Sequence, residues 1–195
     1  MLQGWIIYLV GRGGVGKFTV AKELARIAGC KVVDNHYWLN PVFGLIRQDG
    51  VTPLPADIWP LADRVRGAVL ETIAAHSPPE WSFVFTHSAS GNPEHETADQ
   101  VICRDIAEIA DRRGARRLAV RLTCAPEELV RRVAMPERRL RFKGCDTEEV
   151  WLNARWQPFD PGWPRSMLID TSGLPAQQTA EQILDRIRVL EAEPQ

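Results

Sequence analysis

The sequence predicts an α/β domain, a three-layer sandwich built around a five-stranded parallel sheet. Three observations predict it. Short apolar runs alternate with longer stretches of helical periodicity along the chain. The first run, Trp5-Ile6-Ile7-Tyr8-Leu9-Val10, opens directly into the glycine-rich stretch Gly11-Arg12-Gly13-Gly14-Val15-Gly16-Lys17-Phe18-Thr19. The chain has 195 residues, 45% of them hydrophobic, which suits a single domain over 1–195 with a sizeable core.

The elements follow in order. Strands are predicted at 5–10, 31–34, 82–86, 118–123 and 167–170, each a short apolar run between turn signals. The first helix should begin in the glycine loop and end at Ala28, with Gly29 as its C-terminal stop. Its apolar positions Val20, Leu24 and Ile27 recur at helical spacing. Further helices are predicted at 58–75, 97–113, 126–133, 147–155 and 178–190, the last with Ile183, Ile187 and Leu190 on one face. Prolines such as Pro53, Pro55, Pro78, Pro79 and Pro93 punctuate the gaps. The stretch 131–143 differs in kind, because six of its thirteen residues are Arg or Lys.

Charge and composition narrow the function. A net charge of -1 and a pI near 6.4 speak against a dedicated nucleic-acid or membrane-surface binder. No apolar run approaches the roughly 20 residues that span a bilayer. The amino terminus runs from an apolar strand into the glycine loop with no small-residue cleavage site, so a buried strand explains it better than a signal peptide. Cys30, Cys103, Cys124 and Cys145 are scattered without a CxxC pair, which reads as reduced thiols in a cytoplasmic protein.

The chemistry lies in the glycine loop. A strand, then GxxxxGK, then a helix is the context of a phosphate-binding loop. Glycines let successive backbone N–H groups turn toward phosphate oxygens, and the helix N-terminus adds its dipole. Lys17 would bridge the β- and γ-phosphates of ATP. Phe18 stands where the motif places a hydroxyl for Mg2+, and Thr19 follows one residue late. The same letters also satisfy GxGxxG at Gly11, Gly13 and Gly16, with Asp34 ending the next strand. That leaves a dinucleotide-binding fold, and an NAD(P)-dependent oxidoreductase, as an alternative. Lys17 beside the last glycine, Thr19 and the late basic stretch favour the phosphate loop.

The loop resembles the GxxGxGKxT version found in nucleoside monophosphate kinases, at Gly11, Gly14, Gly16, Lys17 and Thr19. The run Val120-Arg121-Leu122-Thr123-Cys124-Ala125-Pro126-Glu127-Glu128-Leu129-Val130-Arg131-Arg132-Val133 is similar to the fourth strand and following helix of small-molecule and nucleotide kinases. Ile169-Asp170-Thr171-Ser172-Gly173 resembles the stretch that borders adenine there. The order of these segments is that of shikimate-kinase-like and adenylate-kinase-like proteins of the P-loop kinase superfamily. The resemblance implies an ATP-dependent phosphotransferase with Mg2+ and a small-molecule or nucleotide acceptor. It also implies a small Arg-rich lid at about 131–149. A regulatory protein that binds ATP and turns over slowly, if at all, is compatible with Phe18.

The candidate residues are these. Gly11, Gly13, Gly14, Val15, Gly16, Lys17, Phe18 and Thr19 would surround the nucleotide, with Thr19 toward the α-phosphate and the metal held more through water. Ser172 would border the base. Lys17, Asp34, Arg132 and Arg139 are the catalytic candidates. Arg138 and Arg141 are further lid arginines, chosen because a guanidinium fork matches phosphate oxygens. Asp34 ends strand two, where the family often places an acid on the acceptor hydroxyl. His36 and His87 are acceptor-side candidates at the carboxyl edge of the sheet. A homodimer is left open, and the acceptor is unnamed by any motif.

Overall fold

The computed structural model describes residues 1–193, with the side chains of Arg139 and Arg141 outside the described residues. Five strands form the sheet: β1 (Trp5–Gly11), β2 (Lys31–Asp34), β3 (Phe83–Ser88), β4 (Arg116–Thr123) and β5 (Ser166–Asp170). All four pairings are parallel, in the order β2-β3-β1-β4-β5. The helices are α1 (Lys17–Ala28), α2 (His36–Phe43), α3 (Ile58–His76), α4 (Glu96–Arg112), α5 (Pro126–Val133), α6 (Thr147–Ala154) and α7 (Ala176–Ala192).

β1 is the central strand and every one of its residues is buried. A parallel strand covered on both faces reads as an unbroken apolar run, which is what 5–10 shows. Alternation then sorts its side chains into two cores. Trp5, Ile7 and Leu9 pack with Leu24 of α1 and Ile183 and Ile187 of α7. Ile6, Tyr8 and Val10 pack with Leu70 and Ile73 of α3 and Ile106 and Ile109 of α4. The result is the predicted three-layer sandwich.

Because all strands run the same way, their carboxyl ends share one edge. Gly11 of β1 stands beside Ser88 of β3, and Asp34 of β2 beside Thr86. This topology removes the dinucleotide-fold alternative. In that fold the first two strands are neighbours, whereas here β3 lies between β1 and β2.

α2 was not expected from the sequence. It is eight residues long with Pro41 inside it, and burial of Trp38 and Phe43 holds it against the body. The basic stretch after α5 forms a 3-10 turn, Pro136–Arg141, before α6. All four cysteines are free thiols. Among the described residues no helix is long and apolar enough to cross a membrane.

Candidate functional site

The glycine loop leaves β1 at Gly11 and enters α1 at Lys17. Two glycines are demanded by the geometry. A Cβ on Gly11 would meet the Leu122 carbonyl oxygen at 2.3 Å, so only glycine lets β1 and β4 close this tightly. Gly16 caps α1 in a left-handed conformation, φ 96°, which points the first helical N–H groups into the loop. Val15 is buried, and its carbonyl accepts a hydrogen bond from Thr171 Oγ1 at 2.9 Å, which pins the loop to the end of β5.

Lys17 curls over the loop and donates to the carbonyls of Gly11 (2.6 Å) and Arg12 (2.7 Å). Burial, then the charges of Lys143 and Arg138, lower its pKa to about 7, and Asp34 only partly opposes them. Cations crowded to this degree form a site built for polyanions. A cavity of about 520 Å³ opens here. The loop from Gly13 to Thr19 forms its floor, with Arg132, Met135, Leu174 and Thr179 on its walls.

Asp34 lines this same cavity. It accepts a hydrogen bond from Thr86 Oγ1 and pairs with Lys143 at 3.2 Å. His36 faces the cavity too, with Nδ1 2.9 Å from Asn40 Oδ1, and burial chiefly lowers its pKa. Arg132 is fixed in place: it pairs with Glu128 at 2.7 Å and donates to the Thr171 carbonyl at 2.9 Å. Arg138 donates to the Gly144 carbonyl at 2.8 Å. The candidates Arg139 and Arg141 have side chains outside the described residues. Phe18 lies between two cations, Lys22 at 5.2 Å and Lys143 at 4.9 Å from its ring centre. Thr19 is exposed on the first turn of α1.

Ser172, the adenine-side candidate, is not among the residues that line this cavity. Ser172 Oγ accepts from the Ala125 N–H and donates to Asp170, both at 2.7 Å, so it ties down the turn after β4. Its neighbour Thr171 lines the cavity and joins the loop, β4 and Arg132.

A second cavity, about 760 Å³, opens on the other side of the loop. Trp38, Leu39, Trp59 and Ile102 give it apolar walls. His87 and Asp99 lie deep in it, 4% and 6% exposed. His87 is bonded on both nitrogens, to the Tyr8 hydroxyl at 2.5 Å and to Asp99 at 3.1 Å. It therefore belongs to a buried chain that runs from β1 through β3 to α4. The two cavities share Gly13, Asn35, Ser88, Arg138 and Gly144, so they meet at the tip of the loop.

No protein-family model matches the chain, and no curated protein matches it in sequence. Solved structures do match in shape. A sugar kinase from a Janibacter species is 18% identical, with 94% of each chain covered and a TM-score of 0.59. A gluconokinase from Sinorhizobium meliloti is also 18% identical, over 97% of this chain and 95% of its own, at TM-score 0.57. The thymidylate kinase of Candida albicans is 14% identical over 97% and 93%, at TM-score 0.58.

The fold is that of the P-loop kinases.

In the P-loop kinase fold the match spans nearly the whole of both chains, so what is shared is the frame of sheet and helices. Identities this low carry the frame alone. The chemistry has to come from this chain's own side chains.

Proposed function

We propose that the protein is an ATP-dependent phosphotransferase that acts on a hydroxyl of a small molecule. The observation that carries this reading is the meeting of two chambers at the loop tip, beside Lys17. One is cationic and lined by main chain. The other is roomy and largely apolar. A donor and an acceptor held in them would bring their reacting groups together at Gly13, Ser88 and Arg138.

ATP fits the first chamber on the evidence of its cations, because the charges of Lys143 and Arg138 act on Lys17 and the carboxylate of Asp34 only partly opposes them. The N–H groups of the loop would hold the β-phosphate, and Lys17 would release the Gly11 and Arg12 carbonyls to bridge toward the γ-phosphate. The base would lie between Arg132 and the Leu174–Thr179 wall. Mg2+ would supply neutralisation of the phosphate charge. Among the described residues no group of three His, Cys, Asp or Glu side chains could hold it, so the ion would be carried largely by the nucleotide. Oxygen donors within the chamber include Thr19, Asp34 and Ser88.

Asp34 would orient the acceptor hydroxyl and accept its proton, with Thr86 fixing the carboxylate. Arg138, on the border of both chambers, would neutralise the group in transit. His36 lies within reach of the same region. A slowly turning ATP-binding regulator is the second reading, favoured by Phe18 at the hydroxyl position.

A thermal-shift panel with ATP, GTP and NADPH, followed by transfer of labelled phosphate to a set of small alcohols, tests this. ATP should raise the melting temperature and label should appear on an alcohol. Stabilisation by NADPH alone would end the kinase reading. ATP binding without transfer to any acceptor would leave the regulator.

A further inference from the structure

The second chamber has a chemistry of its own, and it differs from the first. A buried carboxylate lines it, Asp99 of α4, whose side chain is 8% exposed. Asp99 Oδ1 is occupied by His87 Nε2 at 3.1 Å. Oδ2 is buried and has no hydrogen-bond partner among the described residues. A carboxylate accepts only, so Nε2 donates and His87 Nδ1 is left to accept from the Tyr8 hydroxyl. That chain spends every hydrogen near Asp99 and offers none to Oδ2. A buried acceptor oxygen without a donor costs free energy until something supplies one.

The described arginines of this chamber are already engaged. Arg66 pairs with Asp63 at 2.6 Å and Asp105 at 3.1 Å. Arg138 donates to the Gly144 carbonyl, and Arg12 to the Trp156 carbonyl. Arg12 Nε is buried without a partner, a single donor suited to a neutral oxygen. Four carboxylates, Asp63, Asp99, Asp146 and Glu149, face three arginines around the wall. Trp38 and Trp59 add two indoles, the first buried and the second half-exposed at the rim.

We infer that the acceptor is a non-anionic, ring-bearing alcohol that gives a hydroxyl or amino hydrogen to Asp99 Oδ2 and lays its ring against Trp38 and Trp59. The inference rests on reading the wider cavity as the acceptor chamber. A carboxylate or phosphate on the ligand would meet the buried charge of Asp99 at short range. An amino group there would be paired with it. The hydroxyl to be phosphorylated would then project past Ser88 to the loop tip.

The test is a binding panel in the absence of nucleotide, followed by calorimetry. One arm holds amino sugars, aminocyclitols and hydroxylated aromatics. The other holds sugar acids, hydroxy acids and nucleoside monophosphates. Members of the first arm should bind, and Asp99→Asn should weaken them about tenfold or more, since a charged hydrogen bond is lost. Asn keeps a carbonyl oxygen for His87 and so spares the fold. Trp59→Ala, at the rim, should weaken the same ligands without disturbing the interior. ATP affinity, measured alongside, should stay at the wild-type value in both variants. Preference for the anionic arm, binding by neither arm, or wild-type affinity in both variants would overturn the inference. Loss of ATP binding with acceptor binding intact would instead count against the kinase reading alone.

Discussion

The two chambers on either side of the glycine loop are built from different materials. The loop side is main chain and positive charge: loop N–H groups, Lys17, Lys143 and Arg138. The other side is side chain, with indoles, aliphatic walls and a buried carboxylate. A phosphate group has one geometry, so backbone set by glycine can recognise it. An acceptor varies between enzymes, so its recognition falls to residues that can change without moving the sheet. Three solved structures that share this fold are below 20% identical to the chain.

Substitutions can break this contrast on one side at a time. Lys17→Ala should produce the largest effect, a loss of transfer of about 10³–10⁵-fold, the scale of removing a cation from a transferring phosphoryl group. Acceptor binding in the apolar chamber should persist, and the melting temperature should hold. Full turnover in the folded variant would mean that the cationic side is not where phosphate sits. Asp34→Asn should come next, with transfer down by about 10²–10⁴-fold and ATP affinity little changed. Its amide oxygen can still accept from Thr86. If nucleotide affinity drops instead, Asp34 serves the donor side.

A smaller effect is one of pH. The Lys17 ammonium has its pKa lowered to about 7 by burial and neighbouring cations. Bound phosphates would raise it again. Below pH 7 the amine is charged both with and without ligand, so affinity is flat. Above pH 7 it must take up a proton on binding, and affinity should fall by up to about tenfold per pH unit. Calorimetry in two buffers of different ionisation heat would read that proton directly. Constant affinity from pH 7 to 9 would show that Lys17 stays charged. Tyr8→Phe touches only the other side. It strips the donor from His87 Nδ1 and should cost about 1–3 kcal/mol in urea unfolding, with ATP affinity unchanged. Unaltered stability would mean that the Tyr8–His87–Asp99 chain carries no strain-bearing bond.

The loop side was legible in the sequence because its signals are local. The apolar run 5–10, the glycines and the helical spacing after Lys17 are contiguous, and each predicted strand lies within two residues of its observed start. The wider cavity was not, because it is assembled by register. Tyr8, His87 and Asp99 meet only once β1 and β3 pair and α4 packs on that face. No spacing in the chain announces such a meeting. α2 escaped for a different reason: eight residues with an internal proline show no periodicity, and tertiary burial of Trp38 and Phe43 decides the outcome. Just past β5 the turn sends Thr171 to the cavity and ties Ser172 to Ala125, a division that no local spacing announces.

Gly11 ties the loop to a strand that the ribosome makes much later. β1 precedes both of its neighbours, β3 and β4, in the chain, and the carbonyl that closes on Gly11 belongs to Leu122. Sheet pairings so far apart along the chain form late. A nascent chain that ends before β4 has no second wall for the loop and no shaped cradle. The loop takes its final form only once β4 has paired with β1.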